Sequence, residues 1–164
     1  MAETPKPLAE KIALVTGGSR GIGAAVCQRL AAAGAHITLT YAQSAAAANS
    51  VADTCRRHAG KAAAVHVDAG DVAAGQQLVH QMVAEAGHID ILVNNAATLT
   101  LGDLLTVTPA MFDQYVAVNL RGVFLLTQAV VQHMPVGARI VNRRRAPWGS
   151  SSASPRTASR NRPC

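Results

Sequence analysis

Aromatic side chains are nearly missing from this chain of 164 residues, where one Trp, two Tyr and two Phe make up 3%, so a core has to be built from Ala, Val, Leu and Ile. Charged residues are also few, 15% against 49% apolar, which excludes a chain held open by its own charge. Cysteine is limited to Cys27, Cys55 and Cys164, an odd number without C-x-x-C spacing; neither a disulfide framework nor a zinc site follows, and no metal is expected. No apolar run approaches the roughly 18 residues of a membrane span. Met1 to Pro7 lacks the basic-then-apolar order of a signal peptide. These absences predict a soluble, cytoplasmic protein with no membrane contact and room for one domain.

Acid is missing from one region only. Residues 1–142 carry nine Lys or Arg and nine Asp or Glu, whereas 143–164 hold six Arg, no acid and no Leu, Ile, Val, Met or Phe. The whole net charge of +6 therefore belongs to the tail. The expected organisation is a polar leader over 1–7, a domain over 8–142 and a disordered Arg/Ser/Pro-rich tail over 143–164. Six arginines permit weak, salt-sensitive binding to nucleic acid or an acidic surface, but the tail has one aromatic, Trp148, and no recognition motif. No specific nucleic-acid partner is expected.

What is present is a repeating order of short apolar runs and helical segments. Lys11 to Thr16 reads as a buried strand, Ile22 to Ala33 as a helix closed by Gly34, and His36 to Tyr41 as a second strand. Ser44 to His58 follows as an Ala-rich helix stopped by Gly60, then Ala62 to Val67 as a third strand and Val72 to Ala86 as a helix ended by Gly87. Ile89 to Val93 reads as a fourth strand, Pro109 to Met134 as one or two long helices, and Arg139 to Asn142 as the start of a fifth strand. Such alternation predicts an α/β fold, a doubly wound parallel sheet with helices on both faces, whose ligands sit just past the strand ends.

The segments at those ends carry the chemistry. After the first strand comes Thr16-Gly17-Gly18-Ser19-Arg20-Gly21-Ile22-Gly23; its glycines allow backbone amides to reach a pyrophosphate at the start of the next helix. Without a ligand it is simply a tight turn. After the second strand, Tyr41-Ala42-Gln43-Ser44 contains no acid for ribose hydroxyls, so NADP is favoured over NAD, with Ser19 and Arg20 meeting the 2′-phosphate; the alternative is that Arg20 is merely solvated. After the third strand, Asp68 is placed to accept from an adenine amino group beside Ala69, and Asp71 to cap a helix. After the fourth strand come Asn94-Asn95-Ala96-Ala97, small enough for a nicotinamide ribose to approach the backbone, or a plain polar turn.

Taken together, TGGSRGIG at 16–23, DAGD at 68–71, NNAA at 94–97, Asn119 within VNLRGVF and RIVN at 139–142 resemble a short-chain dehydrogenase/reductase of the kind that includes bacterial 3-oxoacyl-acyl-carrier-protein reductases. NNAA stands where the family usually has NNAG, a departure of one methyl group. The resemblance implies a Rossmann-like fold, here incomplete at about five strands, binding NADP(H) through Gly17, Ser19, Arg20, Gly21, Ile22, Gly23, Tyr41, Asp68, Ala69, Asn95, Ala96 and Ala97. It implies hydride exchange with a small-molecule carbonyl or alcohol by homo-oligomeric relatives. It also implies a catalytic role for Asn119 on a water-linked proton path; Asn119 otherwise reads as a polar helix residue with satisfied hydrogen bonds.

The family pattern continues from RIVN to a Ser and, 13 residues beyond it, Tyr-x-x-x-Lys, where the Lys brings the tyrosine pKa, ordinarily about 10, into working range. Here the last Tyr is Tyr115 and the last Lys is Lys61. Reading from the third base of each codon, however, codons 143–144 permit Ser, 156–157 permit Tyr and 160–161 permit Lys, at the family's spacing. The expectation is a frameshift after Asn142 and a truncated, inactive chain. The alternatives are a non-catalytic NADP-binding module or a genuine basic tail.

Overall fold

Strand β1 (Ile12–Val15) is apolar throughout, and alternation along it decides the layering. Ala13 and Val15 pack on one face with Cys27, Ala31, Ala48, Val51, Ala52 and Cys55, whereas Leu14 packs on the other with Leu78, Val79, Met82 and Val130. The first group belongs to helices α1 (Gly21–Ala32) and α2 (Ala45–Ala59), the second to α3 (Val72–Ala86) and α5 (Val123–Val131). The computed structural model describes residues 6–98 and 104–143. Five parallel strands lie in one sheet in the order β3-β2-β1-β4-β5, with β2 (His36–Tyr41), β3 (Ala62–His66), β4 (Ile91–Asn94) and β5 (Arg139–Asn142) around β1. The doubly wound α/β architecture is thus present, with Leu14 in register with Thr38 on β2 and Leu92 on β4.

Local signals set most element ends. Ser44 and Asp71 cap α2 and α3 by accepting from the amides of Ala47 and Ala74, and Gly60 and Gly87 close the same helices with φ of +79° and +80°. Thr108 caps α4 (Pro109–Val116), which runs through a π-type turn, Ala117–Gly122, into α5. The long helical stretch ends at Val131, short of Met134.

Three strand assignments shift. β1 is the inner four residues of the expected 11–16 run, β3 ends at His66 instead of Val67, and β4 runs from Ile91 to Asn94 instead of Ile89 to Val93. The Ile89 amide donates to the His133 carbonyl at 3.2 Å, and Asp90 turns its carboxylate to the start of β1, accepting from Lys11 Nζ and the Ile12 amide at 2.9 Å each. Both residues are buried like strand residues, which is why their apolar and short polar character misleads. Residues 1–5 of the expected leader and 144–164 of the expected tail lie outside the described residues. Among the described residues no helix is long and apolar enough to cross a membrane.

Candidate functional site

Because the strands are parallel, the segments after β1 to β4 gather at one rim of the sheet. The chain adds β2 and β3 on one side of β1 and β4 and β5 on the other, so a crevice opens between the turn after β1 and the segment after β4.

Thr16, buried at the end of β1, organises that crevice. Its Oγ1 accepts from the amides of Asn95 and Ala96 at 3.0 Å each, while Asn95 Nδ2 donates to the carbonyls of Thr16 and Gly17 at 2.9 Å each. Gly17 adopts φ +65°, and a Cβ there would lie 2.9 Å from Ala96 Cα; one at Gly18 would lie 2.6 Å from Leu39 Cβ, and one at Gly23 would strike the Gly17 carbonyl oxygen. These glycines therefore let the turn lie flat against its neighbours. Gly21 has open space around it and φ +55°, and serves conformation alone.

The result is a bare helix start. The first bond within α1 runs from the Ala24 amide to the Arg20 carbonyl, no side chain caps the helix, and no acid lies in its first turn, so the amides of Gly21, Ile22 and Gly23 are left for an outside acceptor. Ile22 is 55% exposed beside them. Arg20 is exposed and its guanidinium makes no hydrogen bond or ion pair with the described residues, next to half-buried Ser19. A phosphate fits this donor set in charge and in geometry.

The other strand ends complete the rim. Tyr41 is half-buried and meets the His66 ring edge-on. Asp68 is exposed, and its Oδ1 accepts from the Gly70 amide at 2.8 Å; Asp71 is the α3 cap. The Ala69 carbonyl packs so closely on Gly122 that a Cβ there would strike it. After β4, Ala96 is half-buried and Ala97 exposed, but the Asn95 amide is committed to the glycine turn and so supports the crevice from beneath. Asn119, inside the π-type turn, accepts from the Thr98 amide at 2.9 Å and donates to the Thr98 carbonyl at 2.8 Å. It holds the 96–98 segment against the helix.

Sequence reasoning missed the polar ties under the rim. Besides Thr16, these are Thr40, whose Oγ1 accepts from the Gly17 amide at 3.2 Å, and Asn94, whose Nδ2 donates to Thr127 Oγ1 at 3.0 Å and Asn142 Oδ1 at 2.8 Å. A Thr directly before Gly17 and another at the end of β2 were the available signals; nothing in the chain pairs Asn94 with Thr127. Arg143 Nη1 reaches Asn95 Oδ1 at 3.4 Å. Cys27 and Cys55 are buried; burial, assisted by neighbouring Cys55, pushes the Cys27 thiol up to about 12, and burial raises Cys55 as well. Among the described residues no three His, Cys, Asp or Glu side chains gather as a metal would require.

Comparison with known proteins agrees with this geometry. Residues 11–143 match the family profile described as short chain dehydrogenase. Elsinochrome reductase 1 of Elsinoe fawcettii is 40% identical over 131 residues, 80% of this chain and 49% of that protein. A short-chain dehydrogenase/reductase from Serratia marcescens superposes with a TM-score of 0.80 at 44% identity, covering 89% of this chain and 62% of that one. A short chain dehydrogenase from Burkholderia cenocepacia, solved in complex with NADP, gives 0.80 at 41% identity over 83% of this chain and 56% of that one. The chain spans about half the length of the curated relatives it matches.

Proposed function

The chain belongs to the short-chain dehydrogenase family, and from that premise we propose that it binds NADP(H) at the rim between β1 and β4. The observation that carries the proposal is the bare start of α1, three amides beside an Arg20 guanidinium, all without a partner among the described residues, in a chain with no acid over 41–44. Gly17, Gly21, Ile22 and Gly23 would take the pyrophosphate, Ser19 and Arg20 the 2′-phosphate, Tyr41, Asp68 and Ala69 the adenosine, and Ala96 and Ala97 the nicotinamide ribose, with Asn95 fixing the turn. Bound there, the nicotinamide would supply or accept hydride for a small-molecule carbonyl or alcohol, in the cytoplasm and in an oligomer as in related enzymes. The NADP complex of the Burkholderia relative supports the cofactor assignment.

The resemblance implies a Ser and a Tyr-x-x-x-Lys after RIVN, and residues 143–164 hold no Tyr and no Lys. Loss of a general acid alone costs about 10²- to 10⁴-fold, which supports the reading that residues 1–164 bind nucleotide without turning it over. Asn119 keeps the 96–98 segment in place, where it would also serve the proton path that the resemblance implies. Residues 143–164 read as a shifted frame, a reading supported by the match to the family stopping at 143 where the composition changes. The test is the nucleotide sequence over codons 139–164. Codons 156 and 160 ending in T and A support the shifted frame; third bases that forbid Tyr or Lys make the basic tail genuine.

A further inference from the structure

Successive carbonyls along a strand face opposite neighbours, and β2 obeys this up to its end. The Gly18 amide donates to the Thr40 carbonyl at 2.9 Å on the β1 side, and the Val67 amide donates to the Tyr41 carbonyl at 3.0 Å on the β3 side. By that alternation the Ala42 carbonyl belongs on the β1 side. Instead it lies 3.1 Å from Nε2 of His66, the last residue of β3 and the register partner of Tyr41. A carbonyl only accepts, so Nε2 carries the hydrogen and donates it. The imidazole is steadied by Tyr41, the two rings meeting edge-on with centroids 5.4 Å apart and planes at 65°. In a planar trans peptide the C=O and the following N–H point in opposite directions. Holding the Ala42 oxygen against the His66 ring therefore turns the Gln43 N–H away from that ring.

From this geometry we infer that His66 is a positioning residue for cofactor choice: it fixes the Ala42–Gln43 peptide so that the Gln43 N–H faces, together with Arg20, the 2′-phosphate that separates NADP(H) from NAD(H). The inference rests on the nucleotide site proposed above and deepens it. Arg20 supplies charge, the lack of an acid over 41–44 removes repulsion, and His66 supplies orientation from behind the loop without touching the nucleotide.

The test uses the full chain as wild type, His66→Ala, His66→Gln, whose side-chain amide restores an N–H donor, and Gln43→Pro, which deletes the backbone donor itself. NADPH and NADH are titrated by nicotinamide fluorescence, adenosine 2′,5′-bisphosphate by calorimetry, and the ligand-free thermal midpoint is recorded for each variant. His66→Ala is expected to weaken NADPH and the bisphosphate about five- to tenfold while NADH stays within about twofold, the effect of one misdirected hydrogen bond. His66→Gln recovers most of the loss, and Gln43→Pro reproduces it whether or not His66→Ala folds. Equal losses for NADPH and NADH, or no loss for either, overturn the positioning role while wild-type binding keeps the nucleotide site intact. A wild type that binds neither nucleotide overturns the site and this role together.

Discussion

The two sides of β1 are built differently. On the β2 and β3 side, α1 and α2 pack through small residues, and Cys27, Ala31, Ala48, Ala52 and Cys55 are wholly buried. On the β4 and β5 side, all four residues of β5 are exposed, with Ile140 at 38% and Val141 at 50%, and Phe112, Leu120 and Phe124 along 109–131 are each more than half exposed. The core under α1 and α2 is closed, with Ile91 and Val93 of β4 joining the residues of β1 and β2 in it. The other side carries apolar surface that the described residues do not cover. The described residues of the first side hold the amides and the guanidinium that a phosphate would need, whereas those of the second leave apolar surface open.

Substitutions can break or sharpen this contrast. The largest effect is expected at its axis: Leu14→Ala, fully buried under α3 and α5, should cost about 2–5 kcal/mol, whereas Ile140→Ala on β5 should cost under about 1 kcal/mol; urea unfolding of both variants measures the ratio, and equal costs would erase the contrast. Next comes the tie between the sides. Burial pushes the Asp90 carboxyl up, but the Ile12 amide, Lys11 and His88 outweigh burial and hold it below its ordinary value. A folded-state pKa below the unfolded one gives stability that is full above the unfolded value and lost as pH falls through the folded value. Asp90→Asn should therefore cost about 1.5–3 kcal/mol at neutral pH, and the gap to wild type should close below about pH 4, in unfolding curves taken at both ends.

Smaller effects belong to the nucleotide side alone. Gly17→Ala forces a Cβ onto φ +65° and against Ala96, and should cost about 1–2 kcal/mol of stability together with NADPH binding in a fluorescence titration. Arg20→Ala should leave stability within about 0.5 kcal/mol yet weaken NADPH about tenfold or more, with NADH nearly unchanged, as expected for one charged hydrogen-bonding partner.

The same contrast explains what could be read in advance. The succession of strands and helices along the chain, the helix starts at Ser44 and Asp71 and the stops at Gly60 and Gly87 were legible, because a cap or a left-handed glycine acts within a few residues. Arg139 to Asn142 was legible as a strand from its own residues. Features made by residues far apart in the chain were not legible. The π-type turn at Ala117–Gly122 accompanies Gly122 lying against the Ala69 carbonyl and Asn119 clasping Thr98, and no helix propensity encodes either contact. Asp90 reads as part of a strand until β1 is placed beside it. Asn95 reads as a ligand residue, and only the three-dimensional turn shows its amide spent on the Thr16 and Gly17 carbonyls.

The most direct measurement is the thermal midpoint of the full chain with NADPH and with NADH, each followed by an assay for nicotinamide oxidation with added carbonyl compounds. NADPH is expected to raise the midpoint, by stabilisation of about 2.7 kcal/mol at a hundredfold excess over its dissociation constant, NADH to raise it less, and no oxidation to follow. A midpoint indifferent to both nucleotides, or steady turnover by this chain, would contradict it.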